Sequence, residues 1–369
     1  MDSAARKDSG KKGEHVTPLG ARIALRIAAT GPISLADYMA ECLLDPKHGY
    51  YATRDPLGAG GDFTTAPEIS QMFGELAGLC LAQSWLDQGA PTPFVLAEPG
   101  PGRGTLMADI LRATRGVPGF HAGLRTHLVE ASPALRARQR EALADYEVTW
   151  LDGLQELPEA PLFLVANEFF DALPIRQFER VGQGWCERVV GLSNGSLTLG
   201  RAPAATRDDL APRLSDTAEG DIVELNPTAT AFVGIIAERI ARHGGLALIV
   251  DYGGWHSLGD TLQAVQAHAY TDPFAAPGEA DLTAHVDFEA LARAARGVRH
   301  TELTPQGAWL ERLGIGARAA TLARQLTGPA LEAHEAAYRR LTRPEEMGSL
   351  FKVLALYPDH APLPPGFAR

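Results

Sequence analysis

From residue 94 onward, short apolar runs alternate with longer segments whose apolar residues recur at helical spacing. Short apolar runs bounded by turn residues are typical of buried strands, and the amphipathic segments between them are typical of helices. Strands that alternate with helices favour a parallel sheet with right-handed crossover connections. The predicted strands are Phe94–Ala97, Leu124–Val129, Val148–Leu151, Leu162–Ala166 and Leu246–Val250. The pattern therefore predicts an α/β fold with a mostly parallel sheet.

Three stretches depart from this alternation. Near the N-terminus, apolar positions have helical spacing that is interrupted at Gly31-Pro32, and Ser34 is the expected cap of the second helix. Short alternating runs begin at Arg176 and predict an antiparallel β-meander, in which Asn194-Gly195 is a strong hairpin signal. After a second insertion the chain is mostly helical in pattern. We therefore predict a flexible tail at 1–20, an N-terminal helical and loop segment at 21–92, and an α/β domain at 93–369 with insertions near 176–226 and 255–285.

Composition narrows the class of protein. The net charge of −11 offers phosphate backbones no general attraction, which argues against nucleic acid as the main partner. No apolar stretch approaches the ~20 residues that a membrane helix needs. The three cysteines form no C-x-x-C pair, and the spacing of His48, His256 and His285 matches no metal motif. We therefore expect no metal site, no nucleic acid and no membrane span.

Polar residues follow each of the predicted strands. Because the carboxyl ends of parallel strands meet at one edge of the sheet, where ligands bind, these residues are expected to lie close together. A single acidic residue after a strand would carry little information, but the repetition over five strands indicates a binding site. The residues at the strand ends are Glu98, Glu130, Asp152, Asn167 with Glu168, and Asp251.

Gly100, Gly102 and Gly104 follow the first of these strands. Glycines at this spacing allow a tight turn on which a cofactor can lie against the backbone. A dinucleotide fingerprint would need a further glycine where Thr105 stands. Glu98 would repel a pyrophosphate but attract a sulfonium and an α-amino group. The loop therefore favours S-adenosylmethionine over NAD, and we expect residues 21–92 to cover this cofactor.

Two further strand ends fit the same cofactor. Glu130 has the position of the acid that accepts hydrogen bonds from both ribose hydroxyls. Asp152 could bind the adenine amino group, although Asp152-Gly153 is also a common turn sequence.

The fourth strand end carries the candidate acceptor site. Asn167, Glu168 and Asp171 would lie beside the methyl group, and two acids with an amide suit a cationic or amine acceptor. A planar guanidinium pairs well with carboxylate oxygens. The segment has a weak similarity to the Asn-Pro-Pro-aromatic signature of amino-group methyltransferases, but both prolines are missing. Asp171 could instead cap the following segment.

Several segments together resemble the MidA-like methyltransferases, whose mitochondrial members assist the assembly of respiratory complex I. The resemblance covers nearly the whole chain after about residue 20. It rests on residues 61–71 (GDFTTAPEISQ), 98–107, 167–174 (NEFFDALP), 251–253, 281–288, and Met347-Gly348 with Phe351-Lys352.

This resemblance implies a class I, Rossmann-like methyltransferase fold and a protein substrate. It further implies symmetric dimethylation of an arginine on a complex I subunit. The Arg- and Ala-rich composition and the lack of a clear transit segment favour the cytoplasm of a bacterium over the mitochondrial matrix. The oligomeric state leaves no mark in the sequence.

Three alternatives stay open from the residues alone. The first is an NAD-dependent oxidoreductase. The second is an assembly factor that binds S-adenosylmethionine without catalysis. The third is a small-molecule methyltransferase, because the fold does not fix the acceptor.

Overall fold

The computed structural model describes residues 16–53 and 64–368. Thr17 caps the first helix, and Ser34 accepts a hydrogen bond from the Asp37 backbone N–H as predicted. Residues 18–20 thus form the first turn of a helix, so the predicted tail at 1–20 is too long at that end; residues 1–15 lie outside the described residues. The first elements are α1 (Pro18–Thr30), β1 (Ile33–Ser34), α2 (Leu35–Leu44), α3 (Tyr50–Thr53), α4 (Ala66–Ile69) and α5 (Gln71–Asp87).

The alternating strands and helices follow, close to their predicted bounds. Gly104 begins the helix after the first strand in a left-handed conformation, and Ser132 caps the next helix. These elements are β2 (Phe94–Pro99), α6 (Thr105–Thr114), β3 (Leu124–Val129), α7 (Pro133–Ala142), β4 (Val148–Leu151) and β5 (Leu162–Asn167).

The first insertion is an antiparallel sheet. Its predicted hairpin is confirmed, because Asn194 and Gly195 both have positive φ and join two paired strands. Its strands are β6 (Arg176–Val181), β7 (Gly184–Ser193), β8 (Ser196–Arg201) and β9 (Ile222–Leu225), after which α8 (Pro227–His243) and β10 (Gly245–Gly254) resume the α/β alternation.

The second insertion and the C-terminal region contain more strand than the pattern predicts. The apolar run Phe351–Tyr357 is a buried strand, and the prediction of a mostly helical C-terminal region is wrong there. The elements are β11 (Gln263–Gln266), β12 (Ala269–Tyr270), β13 (Asp281–Thr283), β14 (Val286–Asp287), α9 (Phe288–Ala294), β15 (Arg299–His300), β16 (Thr304–Pro305), α10 (Gln306–Arg312), α11 (Ile315–Ala323), α12 (Gly328–Thr342), α13 (Met347–Leu350) and β17 (Phe351–Tyr357).

The central sheet has the strand order β15-β17-β10-β5-β2-β3-β4. β2, β3, β4, β5 and β10 are parallel, while β17 is antiparallel to the long strand β10 and to the two short strands β15 and β16. The chain runs outward from β2 to β4 and then returns to the other side of β2. This reversal is the switch point at which α/β sheets bind ligands. The predicted mostly parallel α/β fold is confirmed.

Two packing features support the site. Close contact between α5 and α6 depends on glycine: a Cβ at Gly74 would lie 2.6 Å from the Asp109 Cβ. In addition, α1 and α2 share a hydrophobic core with both insertions, through residues such as Tyr38, Val190 and Leu282. Within residues 16–53 and 64–368, no helix is long and apolar enough to cross a membrane.

Candidate active site

The glycine loop between β2 and α6 has a backbone that side chains would not tolerate. Gly100, Gly102 and Gly104 have φ of 62°, 53° and 85°, the left-handed region that favours glycine. A Cβ at Gly100 would also lie 2.7 Å from Cδ2 of Phe169. The Gly102 carbonyl accepts a hydrogen bond from the Gln139 side chain at 2.7 Å. The loop is therefore held in one conformation, and its glycines leave the backbone uncovered by side chains.

Glu98 lies buried at the carboxyl end of β2. Its Oε2 atom has no hydrogen-bond partner among the described residues. Burial raises the pKa of this carboxyl to about 8. A buried carboxylate oxygen without a donor is costly, so the position suits a ligand that brings a positive charge or an N–H. The α-amino group and sulfonium of S-adenosylmethionine meet that requirement, and the residues present therefore fit this cofactor.

Glu130 is buried at the end of β3, next to the same loop. Its carboxylate accepts hydrogen bonds from the Ser132 backbone N–H at 2.8 Å and from the Gln139 side chain at 3.2 Å. Burial raises the pKa of Glu130, and these donors oppose the rise. Gln139 therefore ties the end of β3 to the glycine loop. Sequence reasoning missed Gln139 because it lies within the helix α7 and not at a strand end.

Asp152 differs from the other strand-end acids. Its side chain is 80% exposed and forms an ion pair with Arg136. Arg136 also donates to the carbonyls of Glu130 and Leu151, so it links the ends of β3 and β4. The carboxylate of Asp152 is thus at the surface and already paired, and its role toward adenine stays a prediction.

The segment after β5 brings Asn167, Glu168 and Asp171 together. Glu168 has a φ of 50°, which is uncommon and costly for a residue other than glycine and is most often kept at functional sites. Its Oε1 accepts hydrogen bonds from the Asn167 side chain at 3.1 Å and from the Ala66 backbone N–H at 3.0 Å. Oδ1 of Asn167 and Oδ1 of Asp171 are buried and have no partner in the described part of the chain.

Asp251, at the end of β10, holds this segment in place. Its Oδ2 accepts hydrogen bonds from the backbone N–H groups of Phe169, Phe170 and Asp171 at 3.0–3.3 Å, and its Oδ1 accepts one from Tyr252. The strand-end pattern located Asp251, but it gave no indication that the carboxylate binds backbone groups.

The acidic groups raise one another's proton affinity. Burial raises the pKa of Glu168 to about 7, and the charge of Asp171 adds to the rise. Burial also raises the pKa of Asp171 to about 6. Burial and the charges of Asp171 and Glu168 raise the pKa of Asp251, against its backbone donors. Three acids that share one buried region are stabilised by a cation brought among them.

Aromatic residues from other elements border this acidic region. The Tyr51 hydroxyl donates to Asp281 of the second insertion at 2.8 Å. Burial, and then the charges of Asp281 and Asp171, raise the pKa of Tyr51. The Tyr252 ring lies 5.5 Å from the rings of His285 and Phe351. Sequence reasoning missed Tyr51 and Asp281. The family-like segment 281–288 pointed to this region without assigning a role.

No group of three or more His, Cys, Asp or Glu side chains in residues 16–53 and 64–368 could hold a metal ion. Of the segment 21–92, which is predicted to cover the cofactor, residues 54–63 lie outside the described residues.

Comparison with known proteins agrees with this geometry. The family described as "Putative S-adenosyl-L-methionine-dependent methyltransferase" matches residues 76–307. A protein from Rattus norvegicus named "Protein arginine methyltransferase NDUFAF7, mitochondrial" is 37% identical, over 94% of this chain and 86% of its own. The protein of that name from Danio rerio is 38% identical, over 90% of this chain and 85% of its own.

A solved structure gives the same result. A protein from Burkholderia thailandensis, crystallised with S-adenosyl-homocysteine bound, is 32% identical to this chain with a TM-score of 0.80. The match covers 95% of this chain and 94% of the other. The alternative of an NAD-dependent oxidoreductase is therefore wrong, and the cofactor predicted from the glycine loop is confirmed. The chain belongs to the S-adenosyl-L-methionine-dependent methyltransferases and is an enzyme that uses S-adenosylmethionine as its methyl donor.

Proposed function

We propose that the enzyme methylates an arginine side chain of a protein. The observation that carries the proposal is the buried acidic group after β5. There, Oδ1 of Asp171 and Oδ1 of Asn167 are buried acceptors that lack a donor among the described residues. A guanidinium offers several N–H donors in one plane together with a positive charge. It would satisfy both oxygens and offset the repulsion between Glu168 and Asp171. The names of the relatives, protein arginine methyltransferase, support the same acceptor.

In this proposal the two halves of the site have separate tasks. The glycine loop, Glu98 and Glu130 hold the cofactor, and Asp152 lies on its adenine side. When bound, S-adenosylmethionine supplies an electrophilic methyl group. The protein contributes mainly by aligning the acceptor nitrogen and by placing negative charge around it.

Glu168 and Asp171 orient the guanidinium and manage its proton. A guanidinium with pKa above ~12 does not lose its proton to a carboxylate before reaction. In that orientation the acceptor nitrogen would receive the methyl group that bound S-adenosylmethionine would supply. The methylated nitrogen then releases its proton, and a carboxylate with a pKa of about 6 or about 7 accepts it near neutral pH.

The resemblance to the MidA-like family extends the proposal to a finer level. We infer symmetric dimethylation of a respiratory complex I subunit, in the cytoplasm of a bacterium. A small-molecule acceptor is the alternative, and the experiment below distinguishes the two.

The test is a methyl-transfer assay with radiolabelled S-adenosylmethionine and purified complex I subunits, followed by mass spectrometry of labelled peptides. We expect label on arginine, two methyl groups per modified residue, and no label when the enzyme is omitted. Intact-mass analysis of the same subunits from cells with and without the gene should show a mass difference that corresponds to two added methyl groups. Subunits that carry no label, together with labelled small molecules other than the donor when a cell extract replaces the subunits, would overturn the proposal.

A further inference from the structure

Residues 64–69, which include α4, touch both halves of the active site; we call them the bridge segment. On the cofactor side, Oε1 of Glu68 accepts a hydrogen bond from the Thr105 hydroxyl at 2.5 Å. Its Oε2 lies 3.8 Å from the guanidinium of Arg103 in the glycine loop. Thr105 is the first residue of α6, directly after that loop. Glu68 therefore anchors the bridge segment to the element that holds the cofactor.

The other end of the bridge segment reaches the acceptor carboxylate. Ala66 is fully buried, and its backbone N–H donates to Oε1 of Glu168 at 3.0 Å. Ala66 and Glu68 are two residues apart within one helical turn, so a displacement of Glu68 moves the Ala66 N–H as well.

We propose that Glu68 is a positioning residue that couples the cofactor loop to the acceptor carboxylate, by holding the Ala66 N–H on Glu168. This role rests on the proposed function, because it assigns Glu168 to the acceptor. In this role Glu68 acts through the Ala66 N–H and not by contact with either reactant. It fixes the distance between the two half-sites, and the N–H that it positions stabilises the ionised form of Glu168.

The groups that face Glu168 define what a test must hold constant. Burial and the charge of Asp171, in the same segment, raise the pKa of Glu168. The Ala66 N–H, the Asn167 side chain and Arg340 of α12 lower it. Asp251 of β10 interacts with the same carboxylate. Loss of the Ala66 N–H should raise the pKa of Glu168, whereas loss of a nearby negative charge should lower it. The sign of the shift therefore separates the two effects of changing Glu68.

The experiment measures the pKa of Glu168 through stability and needs no acceptor. The free energy of unfolding is measured by denaturation from pH 5 to 9 for the wild type and for each variant below. Each measurement is repeated on the same protein with Glu168→Gln added. The folded pKa of Glu168 lies above its ordinary value. The free energy of unfolding with Glu168 in place minus that with Glu168→Gln therefore falls as pH rises and becomes constant above the folded pKa. We call the pH at which it becomes constant the levelling point. In the wild-type background this levelling should occur at about pH 7.

We expect Glu68→Ala to move the levelling point upward by about 0.5–1 pH unit, the scale of one lost hydrogen bond to a carboxylate. Glu68→Gln keeps an oxygen for Thr105 and should leave the point unchanged or slightly lower. Ala66→Pro removes the N–H at a first-turn position that tolerates proline and should reproduce the upward shift. Ala66→Gly keeps the N–H and is its control.

Ser70→Ala removes the neighbouring cap of α5, which does not contact Glu168. It should lower stability at every pH without moving the levelling point. The proposal would be overturned if the levelling point did not move in Glu68→Ala, or if it moved equally in Ser70→Ala. This measurement needs no methyl acceptor. If the levelling point shifts in Glu68→Ala but the enzyme does not methylate arginine, the coupling through Glu68 is supported and only the proposed function is wrong.

Discussion

Glu168 combines a left-handed backbone, removal of its carboxylate from water, and two further acids nearby. Each of these features costs free energy in the folded protein. The backbone donors to Asp251 and the Ala66 N–H offset part of that cost. At the residue scale, the site is therefore held in a state that becomes favourable when a cation enters it.

Charge-removing substitutions test the acceptor assignment. Glu168→Gln and Asp171→Asn keep the shape of each side chain, so both variants should fold. We expect cofactor affinity to stay nearly intact and methyl transfer to fall by about 10²-fold or more, the scale of losing preorganised electrostatic contacts. Calorimetry with the cofactor and a radiolabelled transfer assay on the same preparations provide the two measurements.

Two results would contradict this assignment. Wild-type turnover in both variants would transfer the role to Asp251 or to the segment around His285. Loss of cofactor binding would instead place Glu168 and Asp171 in the cofactor half of the site.

We expect Glu98 to make cofactor binding depend on pH. Its pKa of about 8 means that much of it is protonated at pH 7, whereas a cationic ligand requires the ionised form. Binding of S-adenosylmethionine should therefore release up to about one proton at pH 7 and strengthen as pH rises from 6 to 7.5. Calorimetry in buffers with different ionisation enthalpies measures that proton.

The Glu98→Gln variant is the control for this proton release. It should bind the cofactor more weakly by about 1.5–3 kcal/mol, the scale of a hydrogen bond to a charged group, and should release less proton. Wild-type affinity in Glu98→Gln would show that the buried oxygen of Glu98 does not face the cofactor.

At the scale of elements, the glycine loop depends on how α6 packs against α5. A Cβ at Gly74 would lie 2.6 Å from the Asp109 Cβ, and one at Gly78 would lie 3.0 Å from the Ile110 Cα. Any larger residue must push α6 outward, and the loop at its N-terminus moves with it. A residue far from the cofactor thus helps to shape its site.

We expect Gly74→Val to lower the free energy of unfolding by about 1–3 kcal/mol, the range for overpacking, and to weaken cofactor binding as well. Gly234 in α8 is the matched control, because a Cβ there meets no atom within 4 Å. Gly234→Ala should raise the free energy of unfolding by about 0.5–1 kcal/mol, because alanine lowers the conformational entropy of the unfolded chain. It should leave the cofactor affinity unchanged. Denaturation and cofactor calorimetry on both variants decide the outcome; unaltered stability in Gly74→Val would contradict the packing argument.

The parts of the structure that could be predicted are those encoded by local residue types. Apolar runs followed by acids gave the strand ends, and the glycines gave the loop. The contact between Ala66 and Glu168 spans 102 residues and uses a backbone N–H, which every residue except proline carries. The donors to Asp251 were hidden for the same reason. β17 was missed because a short apolar run does not distinguish a buried strand from a buried helix.

At the scale of the whole molecule, His256 connects parts that are distant in the sequence. Its Nε2 lies 2.5 Å from Asp216 of the first insertion, and its Nδ1 lies 2.6 Å from Glu289 of α9. An ionised carboxylate accepts hydrogen bonds and donates none. Both ring nitrogens of His256 must therefore carry a proton. The acids Asp216 and Glu289 raise the pKa of His256 accordingly.

This arrangement gives a pH-dependent contribution to stability. A histidine with a raised folded pKa stabilises the fold at low pH, and the contribution disappears as pH rises through that value. We expect His256→Gln to be less stable than the wild type at pH 6, with the gap closing toward pH 9. Thermal denaturation across this range measures the gap, and a gap that does not vary with pH would rule out the charged histidine.

The core that α1 and α2 share with the insertions has a consequence for synthesis on the ribosome. Ile33 pairs with Val190, and Tyr38 packs in the same core as Leu282, so the first helices have no complete partner surface until those residues have emerged. At about 5–20 residues per second, that delay is roughly 10–50 s. During this interval the apolar faces of the nascent helices are open to chaperones and to other nascent chains. Codon changes that slow elongation between α2 and β13 should therefore increase aggregation of the new protein without altering the finished enzyme.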